Sequence, residues 1–173
     1  MRSLIDRLTA ARIGRTTNFY RDGAGAARRR ERLAAYLEER ADAPILLVGE
    51  APGYRGARIS GVPFTSERQL SGTGPAEASA TIVRRVLAEL GAEERVLCWN
   101  VVPTHPGTER SNRRPTAAEV RGGRWFLDRL AEGRRVVPVG RLAHAALGGD
   151  YVRHPSHGGA AAFAAGLRDL LAR

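Results

Sequence analysis

The sequence predicts an α/β protein: a three-layer α/β/α sandwich around a short, largely parallel four-stranded sheet. Three observations carry that expectation. Short continuous apolar runs, each ended by a turn residue or a lone polar one, suit strands buried on both faces. Segments with apolar residues at helical spacing follow them, and the two types alternate along the chain. At 173 residues the chain suits one domain with a real core. Residues 1–173 are therefore expected to form a single domain, with 1–42 as N-terminal helices packing on the core.

In order, residues 1–13 carry Leu4, Ile5 and Leu8 on one side of a helix, and a Gly/Asn/Asp-containing connector spans 14–25. Residues 26–40 place Leu33, Tyr36 and Leu37 at helical spacing. Pro44-Ile-Leu-Leu-Val48, closed by Gly49, reads as the first strand, and a long Gly/Pro-rich loop follows over 49–75. Residues 76–90 form a helix stopped at Gly91. The cycle repeats with strand 96–100, loop 101–115 and helix 116–130, where Thr116 is the N-cap and Glu119 completes a capping box. A third strand at 136–139 ends at Gly140 and leads to a helix over 142–147. A short fourth strand at 151–153 and a final helix at 160–171 complete the expected order.

Composition bounds the function. No apolar stretch is long enough for a membrane span, and the N-terminus has no signal-peptide core. One cysteine, Cys98, cannot hold an iron–sulfur cluster or a Cys-rich zinc site, and no His/Asp/Glu spacing suggests a metal, so no cofactor is expected. All 28 cations are arginine, which excludes a side-chain lysine Schiff base. A net charge of +10 favours a polyanionic partner, nucleic acid above all. The cluster Arg28, Arg29, Arg30 and Arg32 reads most simply as a solvated helix face.

In sheets of this kind ligands sit beyond the carboxyl ends of the strands. The first strand is followed by Gly49-Glu50-Ala51-Pro52-Gly53-Tyr54 and later by Gly61-Val62-Pro63-Phe64, and the second ends in Trp99-Asn100. The fourth is followed by His154-Pro155-Ser156-His157-Gly158-Gly159. A carboxylate, a carboxamide, an imidazole and an aromatic ring at one sheet edge suit a nucleobase. Phe64 can stack on it, Asn100 can donate and accept along an amide edge, His154 can donate to a carbonyl, and Glu50 can orient a water. Each has a plainer role open to it: Asn100 as a strand-end cap, Phe64 as core, and Glu50 and His154 as loop polarity or structure. His157 is open between a DNA phosphate contact and loop polarity. Neither GxxxxGK[ST] nor GxGxxG occurs, so a phosphate-cradling NTPase and a dinucleotide dehydrogenase lose their main support.

GEAPG at 49–53, PF at 63–64, the Asn of WNVVP at 100 and HPS at 154–156 resemble the uracil-DNA glycosylase superfamily, in order, across residues 43–171. The nearest resemblance is to bacterial iron–sulfur families carrying GEAPG or GEQPG. Those hold a four-cysteine cluster, which a chain with Cys98 alone cannot, so its loops must be held by packing. The resemblance implies hydrolysis of the N-glycosidic bond of deoxyuridine in DNA by a monofunctional enzyme of base excision repair. It implies Glu50 and His154 as catalytic residues, and Ala51, Phe64 and Asn100 as the base site. Tyr54, Ser66, Pro155, Ser156, His157 and Gly158 are the expected DNA contacts. The expected partner is DNA containing uracil or another deaminated base, met by a monomer in the bacterial cytosol at the nucleoid, with no membrane. Where the best-known uracil enzymes carry a thymine-blocking tyrosine, Gly53 stands here, leaving the base range open. The alternative is a protein of the same fold that binds uracil-DNA with impaired turnover or traps it covalently.

Overall fold

The computed structural model describes residues 2–172. Its elements run α1 (Arg2–Ala10), α2 (Ala26–Glu39), β1 (Ile45–Gly49), α3 (Ala57–Ser60), α4 (Glu67–Ser71), α5 (Ala78–Glu89), β2 (Val96–Asn100), β3 (Gly107–Thr108), β4 (Ser111–Asn112), α6 (Ala117–Ala131), β5 (Arg135–Pro138), α7 (Arg141–Leu147) and α8 (Ala160–Leu171). The central sheet has the order β2-β1-β5, all parallel, with Gly49 opposite Asn100 at its carboxyl end. Every residue of β1 and β2 is buried, as it must be where helices cover both faces.

The expected sandwich is present, with one correction. The sheet has three strands rather than four, because the segment around residue 152 makes only a single parallel bridge, Val139 to Val152. The flanking chain explains this: Gly148 and Gly149 turn at positive φ just before it, and Pro155, which has no N–H, follows close after, so the ladder has no length to propagate. Two loops also contain unexpected structure. Residues 49–75 include the short helices α3 and α4, and 101–115 include the β3–β4 hairpin.

Strand β2 lies at the sheet edge, where an unpaired backbone N–H would be costly once buried. Helix α2 covers it, and the Cys98 N–H donates to the Tyr36 hydroxyl at 2.7 Å. Burial raises the Tyr36 phenol far above its usual range, so it stays neutral. The connector 11–25 is tied down in the same manner. Asn18 donates to the Leu8 and Ala11 carbonyls at 2.7 and 3.0 Å, closing α1, and Tyr20 donates to the Gly61 carbonyl at 2.9 Å. The arginine cluster of α2 proves to be partly internal. Arg29 and Arg30 donate to the Phe19 and Tyr20 carbonyls, and Arg32 clasps Glu67 of α4 with two bonds of 2.7 and 3.0 Å.

The expected capping box at Thr116 and Glu119 forms, and Glu119 does more than cap. Its carboxylate, 1% exposed, accepts from the Thr116 N–H, from the Arg15 N–H, and from both terminal nitrogens of Arg113 at 2.7 and 2.6 Å. The Arg113 guanidinium and these N–H donors hold the carboxyl down at about 2. A carboxyl so far below its unfolded value near 4.5 contributes about 3 kcal/mol above that value. The folded pKa is depressed, so this stability is lost as pH falls from about 4.5 towards about 2. Glu119→Gln is expected to lower stability at pH 7 by a comparable amount and to flatten the acid limb over that window, as followed by urea unfolding at stepped pH.

Candidate active site

The parallel sheet brings the ends of β1 and β2 to one edge, and five segments converge there. Glu50 and Ala51 leave β1, Asn100 ends β2, Phe64 comes from the loop after α3, and His154 follows the Val152 bridge. The fifth segment is Glu77 to Ala80, at the start of α5. Together they line an inner cavity of about 50 Å³. It opens into an outer cleft of about 570 Å³ bounded by Arg113, Arg114, Arg141, Ser156 and His157.

Gly49 makes the inner cavity possible. A Cβ there would overlap the Phe64 ring and stand 2.9 Å from Asn100 Oδ1. Phe64 holds a left-handed backbone, φ 49°, which is strained for an aromatic residue and turns its ring edge towards the end of β1. Asn100 is 5% exposed, with its carboxamide against that same strand end.

Burial shifts the titratable groups in opposite directions by one cause. It raises Glu50 against the opposing pull of Arg114, and no hydrogen bond contributes. It lowers His154 below its usual value, with His157 adding a smaller push the same way. The His154 ring is oriented by its own loop. The Ser156 N–H donates to Nδ1 at 3.2 Å, and the Ser156 hydroxyl lies 2.7 Å from the same nitrogen. Nδ1 is therefore the acceptor, leaving a neutral ring with Nε2–H as its free donor. Ser156 Oγ also lies 3.0 Å from Nδ1 of His157, an exposed residue at φ 52°.

The sequence-derived residues divide by position. Glu50, Ala51, Phe64, Asn100 and His154 share the inner cavity, and Ser156 and His157 line the outer cleft. Tyr54, Pro155 and Gly158 line neither: the Tyr54 N–H donates to Asn112 Oδ1 at 2.9 Å, Pro155 is buried, and Gly158 is exposed. Ser66 is the correction. It is fully buried, its N–H donates to Gln69 Oε1, and its hydroxyl accepts the Glu77 N–H at 2.8 Å, so no phosphate reaches it. His105 is structural, its ring nitrogens each 2.8 Å from the Pro52 and Thr108 carbonyls.

Residues of the site that the sequence did not single out are Glu77, Ser79 and Arg141. Placing the α5 start at residue 76 would turn Glu77 outward in a first turn. It stands instead at the N-cap with extended backbone, φ −108° and ψ 127°, which turns its side chain back into the cavity. Pro75, shortly before it, was the available signal.

Residues 37–168 match the family model described as the uracil DNA glycosylase superfamily. Among solved structures, the chain is similar to wild-type Pedobacter heparinus SMUG2, with a TM-score of 0.70 and 16% identity, covering 99% of this chain and 98% of that one. No curated protein matches the sequence. With the family model spanning most of the chain, the protein belongs to the uracil DNA glycosylase superfamily.

Proposed function

We propose that the protein is a monofunctional DNA glycosylase that hydrolyses the N-glycosidic bond of uracil in DNA to leave an abasic site. The observation that carries this is the convergence of Phe64, Asn100, His154 and Glu50 on one small cavity beside a cleft edged with arginine. A flipped base stacks on Phe64 while Asn100 pairs with its O4 and N3–H. His154 donates Nε2–H to O2, where negative charge gathers as the bond breaks. A neutral imidazole suits that task, because its hydrogen bond strengthens as the anion forms. Glu50 as carboxylate orients water and offsets the positive charge developing on the sugar. A chain without lysine has no side-chain amine for Schiff-base chemistry, which fits simple hydrolysis. Ser156, His157, Arg114 and Arg141 face the DNA backbone in the outer cleft, with Tyr54 and Gly158 flanking them.

Single-turnover assays on uracil oligonucleotides, with alkali to reveal abasic sites, test the roles by their pattern. His154→Ala is expected to slow excision about 100- to 1000-fold, the usual cost of one preorganised donor, with much smaller loss of binding. Asn100→Ala removes contacts already made in the ground state and is expected to weaken binding and rate together. Glu50 must be ionised, so the wild-type rate rises with pH through its raised pKa, and Glu50→Gln removes that limb along with most of the rate. If His154→Ala and Glu50→Gln both stay within about threefold of wild type, well under the tenfold that corresponds to ~1.4 kcal/mol, the assignment fails.

Affinity for DNA is expected to fall steeply between roughly 50 and 200 mM salt as arginines release counterions from phosphates. A flat response in a fluorescence-anisotropy titration would separate the +10 charge from DNA binding.

A further inference from the structure

Glycosylase chemistry leaves the ionisable side chain of Glu77 in the inner cavity without a task. The Glu77 carboxyl lies over the Gly53–Gly56 turn: a Cβ on Gly53 would meet Oε1, and one on Gly56 would meet Oε2. The turn therefore lacks side chains where the carboxyl rests. Its backbone is fixed by the bond from the Glu77 N–H to buried Ser66 and by the start of α5. Among the described residues neither a hydrogen bond nor a charged neighbour acts on the carboxyl, and burial raises its pKa. It shares the cavity with Glu50, Asn100 and His154.

Those three account for most of the perimeter of a six-membered base. Asn100 takes O4 and N3–H, His154 takes O2, and Glu50 stands at the glycosidic bond. The edge left over is the one beside the carbonyl that Asn100 reads. Uracil presents a bare C5–H there, whereas a deaminated purine presents N7, a hydrogen-bond acceptor next to its own carbonyl.

Resting on the proposed glycosylase activity, we propose that Glu77 is the specificity-determining residue of this pocket, admitting deaminated purines by donating a hydrogen bond from its carboxyl to N7. A neutral carboxyl carries the required O–H, and burial favours that form. The same bond draws electron density from the purine as it departs, so it favours excision as well as binding.

The test compares single-turnover excision from oligonucleotides holding one deoxyuridine, deoxyinosine or deoxyxanthosine. The wild-type protein is expected to excise hypoxanthine and xanthine as well as uracil. Glu77→Leu, which can neither donate nor accept, is expected to lower the ratio of purine to uracil excision by about tenfold or more. Glu77→Gln, whose amide N–H also reaches N7, is expected to restore the ratio to within about threefold of wild type. Excision of uracil without either purine by the wild type would overturn the proposal. So would an equal slowing of all three bases in both variants, since a carboxyl that only braces the Gly53–Gly56 turn acts on every base alike. Failure of the wild type on all three bases would instead remove the glycosylase activity on which the proposal rests.

Discussion

The end of strand β1 carries no side chain at Gly49, and the site is built into the space that this leaves. Gly49 sits opposite Asn100 in the parallel register, so the two strand ends arrive at one level. A Cβ at Gly49 would overlap the Phe64 ring and crowd the Asn100 carboxamide, so the aromatic wall and the polar wall stand as close together as backbone allows. Phe64 needs a left-handed backbone to get there, and the Pro63 region is pinned on either side to enforce it. Thr65 Oγ1 donates to the Pro63 carbonyl at 3.1 Å and accepts from the Arg84 guanidinium, while the Gly61 carbonyl accepts from Tyr20. Strain of this kind persists only where surrounding contacts outweigh it.

Long loops around the site must be held without a metal cluster of the sort the single cysteine could not bind. Charge-assisted and buried hydrogen bonds hold them instead. Glu119 joins the connector after α1, the Arg113 segment and the start of α6. His105 joins the Pro52 turn to the β3–β4 hairpin, and Arg32 joins α2 to α4. The bonds from Arg15 to Glu119, from His105 to Pro52 and from Arg32 to Glu67 link segments far apart in sequence, and Glu119 and His105 are buried, where such bonds are worth most. Part of the arginine excess is thus structural, and Arg114 and Arg141 are among the cations that edge the cleft.

One physical cause tunes the site chemistry. Loss of water disfavours charge, so Glu50 and Glu77 rise while His154 falls. For His154 this yields the neutral donor that a developing anion needs. For Glu50 it opposes ionisation, and Arg114 is the group that pulls the other way. Glu77 has no such counterweight. Burial thus raises both carboxyls of the cavity, and Arg114 opposes that rise at Glu50.

The alternation of apolar runs and helical periods determined the layered fold, because strands buried on both faces read as continuous apolar runs and helices buried on one face as a period of about 3.6 residues. The segments after the strands determined much of the cavity lining, because a parallel sheet gathers its strand ends on one side. Glu50, Asn100, Phe64 and His154 were legible for that reason. What only the tertiary structure decided depends on contacts between segments remote in sequence. The sheet stops at three strands because the chain turns at Gly148 and Gly149 before Val152 and meets Pro155 soon after it. Ser66 reads as a surface hydroxyl, yet α4 and α5 close over it and engage its N–H and its hydroxyl. Glu77 reads as an ordinary acid at a helix start. Its extended backbone and two glycines more than twenty residues earlier in the chain turn it into the cavity, and no local pattern encodes that approach.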